Sequence, residues 1–89
     1  MNKWQEGMLP SVNALGGEAA RQEIYRDLPK QLEFRESDWR GTKHGRRPAF
    51  QRQVRSHIKD LQDIGDLVRV YRAIYAITPK GRRRIGVKG

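Results

Sequence analysis

Eighty-nine residues allow one small domain, and the absence of cysteine excludes a disulfide framework or a thiolate zinc site. No run of about 18 apolar residues exists to cross a membrane, and the opening MNKWQEGMLP lacks the apolar core of a secretion signal, so a cytoplasmic protein is expected. Net charge is +9, divided unevenly: residues 1–42 hold six basic and seven acidic side chains, residues 43–89 thirteen and three.

In chain order, residues 1–7 read as a loose terminus. Met8, Leu9, Val12 and Leu15 follow a helical spacing closed by Gly16-Gly17, which predicts a short helix over about 8–15 with Pro10 in its first turn. A second helix begins near Ala20 on the stripe Ile24, Leu28, Leu32, with Tyr25 beside it. Pro29 is expected to end or kink it after Leu28. The stretch 30–47 is the least patterned. Ser37-Asp38-Trp39 is a candidate short turn of helix, and GTKHGRRP reads as a glycine-bearing basic loop.

The strongest periodicity lies between Pro48 and Gly65. Phe50, Val54, Ile58, Leu61 and Ile64 repeat at helical intervals and make one apolar face. Gln51, Arg52, Arg55, Ser56, Lys59 and Gln62 occupy the opposite one. Asp60 and Asp63 on the same helix are expected to pair with its Arg or Lys side chains. Two β-branched and aromatic runs, Leu67–Tyr71 and Ile74–Ile77, are separated by Arg72-Ala73 and read as a hairpin. Thr78-Pro79 closes it, and residues 80–89 read as a basic tail with little to pack. Tyr25, Tyr75 and Phe50 are assigned to the core, as is Trp39 by a smaller margin.

The expected fold class is therefore α+β, mostly α: a winged helix-turn-helix of three helices and a two-stranded β-hairpin wing spanning 8–79. In such a layout the helix before the hairpin enters the major groove of duplex DNA. Net charge is -1 for residues 1–42 and +10 for 43–89, which favours a phosphate-facing surface over a merely solubilising one. A membrane surface is disfavoured because the basic segments lack a wide apolar face. Gln51, Arg52, Arg55 and Ser56 are the candidates for base edges, since Arg pairs guanine and Gln pairs adenine with two hydrogen bonds each. Lys59 is placed on a phosphate. Lys43, His44, Arg46 and Arg47 in the preceding loop, and Arg69, Tyr71 and Arg72 in the wing, are candidates for the flanking backbone or minor groove. Arg82, Arg83 and Arg84 are expected to touch phosphates without sequence preference.

Catalytic signatures are missing. There is no phosphate-binding glycine loop, and two histidines without cysteine or HExxH spacing do not make a zinc site. Glu33, Glu36 and Asp38 lack a strand that would direct them to a magnesium ion. The expectation is a binding module with no metal, no cofactor and no enzymatic activity. A winged helix that binds protein instead of DNA is the alternative.

The segments LGGEAARQEIY (15–25), RRPAFQRQVRSHIKDLQDIGDLVRV (46–70) and AIYAITPKG (73–81) resemble the N-terminal domain of Mrr-type restriction proteins. They are also similar to winged-helix domains of other modification-dependent restriction endonucleases, among them readers of N6-methyladenine. The resemblance covers about residues 8–82 and is most specific between Pro48 and Gly65. It implies a DNA-reading winged helix, for duplexes that include methylated ones, serving a nuclease domain that this chain does not contain. Three departures stand out. Ala20 replaces a frequent Ser cap, Pro29 interrupts the second helix, and the wing tip lacks glycine. For a methylated base, Trp39 is the nominated apolar contact.

Overall fold

The computed structural model describes residues 2–41 and 48–86. Helix α1 (Lys3–Ala14) starts earlier than the apolar spacing around Met8 suggests. Asn2 is its N-cap: the Asn2 side chain accepts from the Gln5 backbone N–H at 3.0 Å, and the Gln5 side chain accepts from the Asn2 N–H at 3.2 Å. A loose terminus is expected for residues 1–7, and from Asn2 onward this reciprocal cap, together with burial of Trp4, overturns it. It also puts Pro10 inside the helix rather than in its first turn. The lost backbone bond there, worth roughly 3 kcal/mol in an isolated helix, is offset by the apolar face: Trp4, Met8, Leu9 and Val12 are all buried.

Gly17, at φ +88°, turns the chain out of α1 in a left-handed conformation that favours glycine. The next three residues form a strand that the sequence reading did not anticipate, β1 (Glu18–Ala20). It is too short to show periodicity and exists because β3 pairs with it. Helix α2 (Arg21–Gln31) follows directly, and the Glu23 side chain accepts from the Ala20 N–H at 2.9 Å. Pro29 neither ends nor excludes the helix, which continues to Gln31. The proline falls in the last turn and supplies no N–H of its own, but the turn still closes, with the Leu32 N–H donating to the Leu28 carbonyl at 3.2 Å. Gln31 Nε2 donates to Asp27 across this turn at 3.1 Å. The short helix α3 (Glu36–Trp39) forms where Ser37-Asp38-Trp39 suggested one, with Asp38 accepting from the Arg35 N–H at 2.8 Å.

Helix α4 (Ala49–Asp63) matches the expected amphipathic segment to within a residue at each end. Phe50, Val54, Ile58 and Leu61 are buried along one side of it. Strands β2 (Leu67–Tyr71) and β3 (Ile74–Ile77) form the expected antiparallel hairpin. The sheet has three strands, not two, in the order β1-β3-β2. The fold is thus α+β, mostly helical, with a small antiparallel sheet.

After Ile77 the expected unpacked tail is instead helix α5 (Pro79–Arg84) over part of its length. Thr78 is its N-cap: Oγ1 accepts from the Gly81 N–H at 3.1 Å and donates to the Gly65 carbonyl at 2.6 Å. Gly81 sits so close to the Asp66 carbonyl that a β-carbon would collide with it. Arg84 pairs with the fully buried Asp66 carboxylate. One core joins these elements, built from α1, α2, α4 and the inner face of the sheet, including Ile24, Tyr25, Leu28, Tyr75 and Ile77.

Candidate nucleic-acid interface

The apolar spacing that buries one side of α4 leaves the other side to solvent. Arg52, Arg55, Ser56 and Lys59 are exposed, while Gln51, in the first turn, is half-buried. Arg52, Arg55 and Lys59 form no hydrogen bond or ion pair among the described residues. The expected pairing of Asp60 and Asp63 with these cations is not found. Asp60 instead meets His57, with Nδ1 at 3.1 Å from Oδ2. His57 also lies 3.4 Å from the Asn2 side-chain nitrogen, at the base of α1. Asp63 follows Lys59 by four residues, with the cation N-terminal to the anion, the weaker orientation for a helical pair. The cations of α4 therefore keep their charge uncompensated by a carboxylate among the described residues.

The start of α4 is fixed by two contacts. Gly41 and Pro48 form a bridge, and the Ala49 N–H donates to the Arg40 carbonyl at 2.6 Å. Lys43, His44, Arg46 and Arg47, expected to contact phosphate, lie outside the described residues.

Beside this end of α4 stands an aromatic cluster. Phe50 lies 4.8 Å from Phe34 and 5.8 Å from Tyr25, centroid to centroid. Trp4 meets Phe34 edge-on at 5.4 Å. Trp39 contacts both Phe34 (5.0 Å) and Phe50 (5.4 Å), yet it remains 51% exposed. The core assignment for Trp39 is therefore corrected: α3 is one turn long and lies over the edge of the cluster, so the indole backs onto it and shows its other side to water. Edge-to-face pairs of this kind fix ring orientation as well as burying area. Lys3 ties the same corner together, 3.5 Å from Asp38 and 4.8 Å from the Trp4 ring centre.

At the tip of the β2–β3 hairpin, Arg69, Tyr71 and Arg72 are all exposed, and no described residue pairs with either arginine. Tyr71 is 72% exposed, the most exposed large apolar side chain described. Arg83 is exposed as expected. Arg84 is engaged by Asp66, and Arg82 is half-buried with its guanidinium over Gly17, so those two have structural contacts that the reading of a free tail did not foresee. The signal for α5 was present in Thr78-Pro79, a cap followed by the one residue suited to the first helical position.

Among the described residues, no three His, Cys, Asp or Glu side chains converge as metal ligands, and no helix is long and apolar enough to cross a membrane. No family model, curated protein or solved structure matches the chain.

Proposed function

We propose that this chain is a winged-helix module that binds double-stranded DNA, with α4 in the major groove and the β2–β3 hairpin as the wing. One observation carries the reading: α4 buries Phe50, Val54, Ile58 and Leu61 in the core and presents Arg52, Arg55 and Lys59 outward, without carboxylate partners among the described residues. A major groove about 12 Å wide accepts one helix in this pose. Cations left unpaired on such a helix are free to replace the counterions of phosphates and to meet base edges. Arg52, Arg55 and Ser56 take the base-edge role, Gln51 reaches the groove only with its outer part, and Lys59 takes a phosphate.

The wing arginines, with Lys43, His44, Arg46 and Arg47, supply flanking contacts. The resemblance to Mrr-type domains extends the proposal to a DNA-reading unit of a restriction system, partnered by a nuclease domain and sensitive to adenine methylation. Trp39 is the surface offered to a methyl group. Burial of one methyl contributes about 1 kcal/mol, so preference for a modified site is modest unless both strands are read. The module itself is proposed to be non-enzymatic and cytoplasmic.

The test is a selection on random duplexes, run with unmodified, adenine-methylated and cytosine-methylated pools. Enrichment of a defined site, strengthened by adenine methylation, is the expected result. Absence of any duplex binding at low salt refutes the proposal and favours a protein-binding winged helix.

A further inference from the structure

Resting on that reading, we propose a second activity for the same surface: the wing is a minor-groove wedge that bends the duplex, with Tyr71 as the inserted side chain. Tyr71 is the last residue of β2, beside the Arg72-Ala73 turn, and it is 72% exposed. A large aromatic group at a hairpin tip, with no core to join, has little structural use. Val70 beside it is also exposed. Arg69 and Arg72 flank the ring, both exposed and neither paired with a described residue. Apolar or aromatic side chains bracketed by arginine are the chemistry that enters a minor groove, because the groove concentrates negative potential and its base steps can be parted by a flat wedge.

The backbone supports a held tip. The ladder shifts register between Arg69 and Tyr71, so Val70 is an extra residue that twists the strand end. Ala73 closes the turn at φ +53°, a left-handed conformation that is unfavourable for any residue with a β-carbon. The Ala73 carbonyl accepts from the Arg21 N–H at 2.7 Å, which fastens the turn to the start of α2. The minor groove is about 6 Å wide, so a ribbon cannot enter it bodily and only tip side chains fit.

Self-association along the same edge is the competing use of β2, which lies at the side of the sheet. The irregular register interrupts a continuous ladder there, and Arg69 and Arg72 of two copies would be brought together. Charge and register both favour DNA as the occupant. A wedge of this kind selects flexible pyrimidine–purine steps, TA above all, beside the site read by α4.

The experiment uses the full chain and two duplexes of about 30 base pairs, dye-labelled at both ends, one with a central TA step and one with an A-tract. Energy transfer and affinity are recorded at saturating protein for wild type, Tyr71→Ala and Tyr71→Phe. Wild type is expected to bend the TA duplex by roughly 20–90° and the stiffer A-tract less. Tyr71→Phe retains the bend. Tyr71→Ala weakens binding about tenfold, in line with the loss of one stacking contact, and leaves the saturated duplex straight. Binding without a bend in wild type, or an equal bend with Tyr71→Ala, overturns the wedge while leaving duplex recognition intact. A Tyr71→Ala effect confined to oligomeric state in light scattering also overturns it and assigns the face to protein. No duplex binding by wild type removes both the wedge and the reading beneath it.

Discussion

Asp66 is fully buried, and Arg84 is its side-chain partner, through Nε and through Nη2 at 3.4 Å. The two ends of this pair differ. Arg84 keeps 40% of its side chain in water, whereas Asp66 has none. Removing the arginine strands a buried carboxylate, while removing the carboxylate leaves a cation that water can still solvate. Arg84→Ala is therefore expected to cost about 3 kcal/mol of stability, and Asp66→Ala distinctly less, measured by urea denaturation. Equal costs would mean that the pair contributes by packing alone. In the sequence Asp66 stands just past Gly65, outside the helical pattern that holds Asp60 and Asp63, and nothing there marks it as the buried one. Asp60 and Asp63 lie within α4 and stay exposed, and Asp66 is buried where Arg84 of α5 arrives from 18 residues along the chain, one hairpin later. Trp39 was equally hard to place, because a one-turn helix has no periodicity from which to read a face.

The central elements were legible because their patterns are long. Helix α4 repeats its apolar residues over four turns, and the hairpin alternates β-branched and aromatic residues around a two-residue gap. The ends of the chain were less legible for a different reason. Asn2 with Gln5, and Thr78 with Pro79, are terminal signals that precede short or proline-bearing segments, and they lose to an expectation that basic or polar ends are unpacked. Strand β1 had no signal at all beyond its pairing with β3. The cap at Thr78 joins two elements, since its hydroxyl accepts from Gly81 and donates to Gly65. Thr78→Ala is expected to lower stability by about 1–2 kcal/mol, read from the denaturation midpoint. Thr78→Ser keeps both hydrogen bonds and is expected to restore most of the loss. Failure of serine to restore it would place the contribution in the methyl group.

For the whole molecule, the charge division visible in the sequence becomes a geometric one. The first half supplies the core helices α1 and α2, and the second half supplies α4, which adds its apolar side to the core, with the β2–β3 hairpin and α5 and their exposed arginines. The candidate surface was legible to the extent that it follows from helical periodicity: Arg52, Arg55, Ser56 and Lys59 face water as expected. Gln51 does so only in part, because the first turn of α4 is flanked by the bridge between Gly41 and Pro48. The sequence could not show that Asp60 meets His57, nor that the α4 cations have no partner among the described residues. The central claim is that these cations, rather than basic charge in general, engage DNA. It is tested most directly by comparing duplex affinity at fixed salt for Arg52→Ala, Arg55→Ala and Arg83→Ala, using the site that selection returns. Loss of roughly tenfold or more for each α4 variant is expected, in keeping with a bidentate base contact, against a few-fold loss for Arg83→Ala. The same small loss in all three variants would contradict it.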